Sequence, residues 1–230
     1  MKVNRRILGA TVFMLAVAVP CFTQAQREPQ SQQQTQQQAE LERRVTAFLE
    51  KMKDQWRDMN VPEVDGKLLH DLIVQNNYQR ALEIGMSTGR SAIWIAWALS
   101  KTGGKLITIE IDERRYKQGL ENFKEAGVSE YIDARLADAH ALVPQLSGPF
   151  DFVFIDADKD WYINYAKAVI PNLQPGGCIA AHNIPEPGSG RSGMRGTAQY
   201  FEYMKSLPEF DTKYLQESQA GVAVSVQKKR

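Results

Sequence analysis

The chain has 230 residues, with 28 Lys and Arg against 27 Asp and Glu, a formal net charge of +1. That length supports one substantial core and is short for two α/β domains. The near-balance of charge excludes a polybasic nucleic-acid binder.

The N-terminus reads as a targeting segment. Lys2, Arg5 and Arg6 precede an apolar run, Ile7 to Val19, and Thr23-Gln24-Ala25 puts small residues at cleavage positions. This is the layout of a secretory signal peptide over residues 1–25, which implies export to a periplasmic or extracellular space. The apolar run is short for a membrane span, and an uncleaved membrane anchor is the alternative. Pro20 argues against lipoprotein processing at Cys21. Removing residues 1–25 takes away three Lys/Arg and no Asp/Glu, so 28 becomes 25 against 27, a net of −2. Cys178 is then the remaining cysteine, in an apolar run, which suits a buried thiol and no internal disulfide framework. The Gln-rich stretch over residues 26–38 lacks apolar residues and is expected to be a disordered linker. Residues 39–230 form the expected domain.

Within that domain Leu41, Val45, Phe48, Leu49, Met52 and Trp56 recur at helical spacing, predicting a helix over Ala39–Met59. Pro62 and Gly66 end that segment, and Lys67–Asn76 is a second helix. Strand and helix patterns then alternate. The strands are Arg80–Ile84, Lys105–Ile111, Tyr131–Leu136, Phe152–Asp156 and Gly177–His182. The helices are Ser91–Ser100, Glu113–Ala126, Ala139–Leu146 and Trp161–Leu173. Such alternation implies a mostly parallel sheet covered on both faces. A helix over Gly196–Leu207 follows. Phe210–Gln216 and Gly221–Val226 are then separated by too few residues for a crossover helix, so they pair as an antiparallel hairpin.

Polar residues cluster where the strands end. The first strand runs into Glu83-Ile84-Gly85-Met86-Ser87-Thr88-Gly89-Arg90-Ser91, a Gly-x-x-x-Gly turn that lets backbone approach a ligand closely. It is neither a dinucleotide fingerprint nor a P-loop. Glu110, 21 residues after Gly89, ends the second strand, where a carboxylate can hold ribose hydroxyls. Asp138 follows the third strand, placed either for an adenine amino group or as a plain helix cap. The fourth and fifth strands stop at Asp156-Ala157-Asp158-Lys159 and at His182-Asn183.

Together LEIGMSTGRS, ITIEID, LADA, FIDADKDWY and PGGCIAAHN resemble the class I S-adenosylmethionine-dependent O-methyltransferases, with catechol and caffeoyl-CoA O-methyltransferases the most similar groups. The resemblance runs from about Met59 to the C-terminus. It implies a Rossmann-like doubly wound seven-stranded α/β sheet, order 3-2-1-4-5-7-6, with strand 7 antiparallel. It implies S-adenosylmethionine as cofactor and a small aromatic, catechol-like acceptor. Glu83, Gly85, Ser87 and Ser91 would surround the methionine part, Glu110 the ribose, and Asp138 with Ala139 the adenine. Asp156 would line the cofactor site and be the first ligand of a divalent cation, Lys159 the catalytic lysine, and His182 and Asn183 the second and third cation ligands. Glu217 falls where a carboxylate contacts the catechol in the animal enzyme. A homodimer is also implied.

His182 departs from the pattern, which has Asp at that position. Three readings stay open. His182 ligates a softer ion than magnesium, such as manganese, iron, nickel or zinc; or it is a general base without a metal; or it is structural. Asp158 and Asp160 suit solvated positions near a helix start. Tyr162 and Tyr165 suit packing, and His70 and His140 surface or packing roles. Residues 185–196 suit a lid or a connector equally, and Trp56, Met59 and Met194 could wall an acceptor. The competing functions are a non-catalytic nucleotide-binding or interaction protein on the same fold and an aminopropyl transferase; the Asp156–Lys159 motif favours methyl transfer.

Overall fold

The computed structural model describes residues 27–56, 59–188 and 195–229. The expected signal segment over residues 1–25, the connector residues 189–194 and with them Met194 lie outside the described residues. The chain divides into two units, Met1–Gln36 and Gln37–Arg230.

The first helix, α1, is Arg27–Lys51. The Gln-rich residues are thus helical from Arg27 onward, where a disordered linker was expected. Glutamine is a good helix former, and the amphipathic turns up to Lys51 offer a nucleus from which the helix extends. The next helix, α2 (Glu63–Asn76), starts directly after Pro62 and runs through Gly66. Gly66 was expected to lie before the second helix, which was placed from Lys67. It is there for packing: a Cβ at Gly66 would lie 2.3 Å from the Trp94 ring, so only glycine lets α2 lie against the helix that carries Trp94.

From Arg80 on, β1 (Arg80–Ile84), α3 (Arg90–Thr102), β2 (Lys105–Glu110), α4 (Glu113–Ala126), β3 (Ile132–Leu136), α5 (Ala139–Leu142), β4 (Phe150–Ile155), α6 (Tyr162–Val169) and β5 (Leu173–His182) alternate. Then come α7 (Arg195–Ser206), β6 (Phe210–Leu215) and β7 (Val222–Gln227). Expected and observed bounds agree to within a few residues, except that α5 and α6 are shorter because 3-10 turns finish each of them. The sheet order is β3-β2-β1-β4-β5-β7-β6. The β1–β2, β2–β3, β1–β4 and β4–β5 pairs are parallel, while β7 runs antiparallel to both β5 and β6.

Alternation along each strand sorts the core into two layers. On β4, Phe152 and Phe154 face the layer with α2, α3 and the buried Cys178. Val153 and Ile155 face the other, with Tyr162, Tyr200 and Met204. Because both faces are covered, polar side chains can be presented at the strands' C-terminal edge. The strand order reverses direction between β1 and β4, which opens a crevice there.

Candidate active site

A cavity of about 800 Å³ opens at that edge. Gly85 has φ +99, and a Cβ there would sit 2.7 Å from the Asp156 carbonyl oxygen. The β1 turn and the β4 end are therefore in backbone contact, locked by Asp156 N donating to Ile84 O at 2.9 Å. Glu110 closes the neighbouring strand. Its Oε2 accepts from Ser87 N at 2.7 Å, and its Oε1 accepts from Ile111 N at 3.0 Å and Asp112 N at 2.9 Å. This carboxylate fixes the turn, and a carboxylate has acceptor capacity left for a ligand hydroxyl. The Ser87 hydroxyl is buried with no hydrogen-bond partner, so a ligand in the cavity could satisfy it.

Gly85, Ser87, Glu110, Asp138, Ala139, Asp156, Lys159, His182 and Asn183 all line this one cavity. The strand-end residues that stood apart in sequence are thus brought together. Glu83 and Ser91 are buried beneath the turn and are not among its lining residues. Burial pushes the Glu83 carboxyl up to about 7, aided by the Asp156 and Glu110 charges, although hydroxyls of Ser91 and Thr108 pull it down. Glu217 is exposed and does not line the cavity; Ala220 of the same turn does. Trp56 packs edge-on against Phe48 and under Arg90 rather than in the cavity, whereas Met59 lies at its rim.

Asp138 caps α5 by accepting from His140 N at 2.9 Å and also lines the cavity. Asp158 caps the turn after β4, as expected of a residue at a helix start. Tyr162 does more than pack. Its hydroxyl takes a hydrogen bond from Lys159 Nζ at 2.9 Å and donates to His182 O at 3.2 Å. Lys159 Nζ also donates to Asp156 Oδ1. Cavity residues not singled out as site residues include His140, Tyr165 and Arg115. His140 stacks on Trp161, ring centroids 3.8 Å apart, with Nε2 3.3 Å from Asp158 Oδ2. Its only sequence signal was adjacency to Asp138-Ala139. Tyr165, assigned to packing, also forms part of the wall. Arg115 sits one turn into α4, and nothing in the sequence marked it.

A further missed residue, Asp65, changes how His182 reads. Asp65 is fully buried in α2, and its Oδ2 lies 3.0 Å from His182 Nε2. His182 Nδ1 lies 3.2 Å from Asp156 Oδ2 without hydrogen-bond alignment. The ring is therefore held between two carboxylates. Burial pulls its pKa down, but Asp156 and Asp65 outweigh that and hold it at about 9. Among the described residues, no group of three His, Cys, Asp or Glu is arranged to hold a metal ion.

A seven-stranded sheet with this order, a Gly-x-x-x-Gly turn after β1 and an acidic residue closing β2 define a class I S-adenosylmethionine-type methyltransferase fold. The O-methyltransferase family model matches residues 30–216, and the chain belongs to that family. It is 36% identical over 169 residues to a caffeoyl-CoA O-methyltransferase of Zinnia elegans, which covers 71% of this chain and 64% of that protein. The match thus spans less than two thirds of that relative's length. Among solved structures it resembles a putative O-methyltransferase from Klebsiella pneumoniae at 26% identity and TM-score 0.68, covering 80% of this chain and 89% of that one. It also resembles an O-methyltransferase from Bacillus cereus in complex with SAH at 25% identity and TM-score 0.67, covering 80% and 90%.

Proposed function

We propose that the chain is an S-adenosylmethionine-dependent O-methyltransferase acting on a hydroxyl of a small aromatic, catechol-like acceptor. The observation that carries this reading is the single cavity that joins the Gly85–Ser87 turn and Glu110 to Asp156, Lys159 and His182. The residues fit the donor. The glycine turn leaves no room for a Cβ, Glu110 offers acceptors, and the orphaned Ser87 hydroxyl awaits a partner. When bound, S-adenosylmethionine supplies a methyl group already activated on a sulfonium. The protein's task is then alignment and proton handling. Alignment alone is worth about 7–11 kcal/mol when the geometry is good. Lys159, braced by Asp156 and Tyr162, is the cation that faces an acceptor oxygen and holds its developing charge. The Asp156 carboxylate beside that ammonium takes the acceptor's proton.

The residues do not fit a hard divalent ion. Of the three expected ligands, His182 donates one ring nitrogen to Asp65 and turns the other toward Asp156, while Lys159 occupies the second Asp156 oxygen. An incoming ion would have to displace a ring proton beside an existing ammonium, and magnesium prefers an all-oxygen set. A ring held protonated near neutral pH is also a poor general base. We therefore read His182 as a fixed, charge-bearing group beside Asp156, and methyl transfer as independent of a metal.

The test is binding followed by turnover. Saturating S-adenosylhomocysteine should stabilise the chain by about 3–4 kcal/mol at 100–1,000 times its Kd. Methylation of a catechol panel should persist with a chelator and gain nothing from added magnesium, manganese or zinc. No thermal shift would remove the donor assignment. Turnover that needs an added ion would remove the metal-free reading. Tight binding with no turnover on any acceptor would favour a non-catalytic binding protein. We also keep export as a proposal. It is supported by the charged, apolar and small-residue pattern before Gln26, and N-terminal sequencing of the mature protein tests it.

A further inference from the structure

We propose that Asp65 is a positioning residue for methyl transfer, holding with one buried carboxylate both the His182 ring and the turn that closes the acceptor side of the cavity. The proposal rests on the methyltransferase reading above.

Asp65 lies two residues into α2, 117 positions before His182 in the chain. Its Oδ1 accepts from Ser218 Oγ at 2.8 Å and Gln219 N at 2.8 Å. Its Oδ2 accepts from Ala220 N at 3.0 Å and lies 3.0 Å from His182 Nε2. A carboxylate only accepts, so Nε2 must carry the proton in that contact. This fixes which edge of the ring looks at Asp156. Burial alone would raise the Asp65 carboxyl, yet His182, Gln219, Ser218 and Ala220 together hold it below the usual range. The carboxylate is thus charged, enclosed and fully used.

The same group also orders the turn between β6 and β7. Ser218 Oγ passes the contact on by accepting from Gly221 N at 2.9 Å. Gly221 has φ +89, and a Cβ there would fall 2.0 Å from the Ile184 carbonyl oxygen, so the turn is pressed against the segment just after Asn183. Ala220 of this turn and His182 both line the cavity. One side chain therefore sets two parts of the acceptor wall, while the donor-side groups, Glu110 and the Gly85 turn, are held by bonds that do not involve it. That separation makes the role testable.

Asp65→Asn keeps the shape but replaces one accepting oxygen with a donating amide, so at least one of the two arms must open. The expected result is a kcat lower by about 10–100-fold, since misplacing a site group by about 1 Å can cost about 100-fold. The Kd for S-adenosylhomocysteine should stay within about threefold. The His182 ring signals in a proton–nitrogen NMR spectrum should move, assigned with His182→Gln among the three histidines of the chain. Ser218→Ala loosens only the turn. It should raise acceptor KM, speed amide exchange at Gln219 and Ala220, and leave the ring signal in place. Wild-type kcat and an unmoved ring in Asp65→Asn overturn the proposal. So does a loss of donor affinity that matches the loss of kcat, which marks general damage to the fold. If Asp65→Asn does not fold, Asp65→Glu decides: a shifted ring with lowered kcat supports the role, and wild-type values for both refute it. If the wild-type chain methylates no acceptor, the functional reading fails alone, since the ring and amide signals still report whether Asp65 holds both arms.

Discussion

Glu83→Gln should stabilise the protein at alkaline pH and leave it nearly unchanged at acid pH. Glu83 is fully buried on β1, with a hydrogen bond from Thr108 to Oε2 and no partner for Oε1. Burial raises its carboxyl from 4.5 to about 7. A raised folded-state value means the native protein holds this proton more tightly than the unfolded chain does. The associated stability is fully present below 4.5 and is lost as the pH rises through about 7. At 1.36 kcal/mol per pH unit, the shift corresponds to about 3 kcal/mol at most. Glutamine keeps the acceptor for Thr108, carries no charge and does not titrate. Urea denaturation of both proteins at about pH 5 and about pH 8.5 measures the difference. The variant should gain up to about 3 kcal/mol on wild type at the higher pH, or very roughly 5–10 °C in Tm for a chain of this size. Equal pH dependence in the two proteins would show that Glu83 ionises in the native state at no cost, and the desolvation argument would fall.

Glu110→Gln sets an amide against the backbone N–H groups that its carboxylate now accepts from. An unpaired buried N–H costs about 1–3 kcal/mol, and calorimetry should show S-adenosylhomocysteine binding weakened as well; unchanged stability and affinity would refute the assignment. Gly85→Ala combines a positive φ with a Cβ 2.7 Å from the Asp156 carbonyl oxygen. It should cost about 1–3 kcal/mol in backbone strain, seen as a lower denaturation midpoint, and weaken donor binding. Gly196→Ala acts on the other half of the site. Its Cβ would fall 2.2 Å from the Lys159 carbonyl oxygen and push on the segment that carries the lysine. Turnover should drop while donor Kd is retained, and an unchanged kcat would count against the placement of Lys159.

The strand ends were legible because a parallel sheet imposes a simple pattern. Strands buried on both faces must be continuously apolar, so the first polar residue marks the sheet edge, as at Asp156 and His182. The glycine turn and Glu110 could be read for the same reason. Asp65 could not, because an aspartate in the first turn of a helix looks like an ordinary dipole partner, and nothing local says that it is buried. Glu83 and Ser91 were assigned to the cofactor by resemblance, but Glu83 on β1 and Ser91 in the first turn of α3 are buried and do not line the cavity. The Gln-rich stretch was misjudged because low hydrophobicity argues against burial, not against a helix continued from a neighbouring segment.

The sequence by itself determined the alternation of elements, the sheet order through its family resemblance, and the residue types at each strand end, since these follow from local periodicity and short motifs. Only the tertiary structure decided what surrounds His182. The contact with Asp65 spans 117 positions in the chain, and a histidine's charge depends on which groups the fold places within about 4–6 Å of it. The residue that departs from the family pattern takes its meaning from a carboxylate that folding alone brings to it.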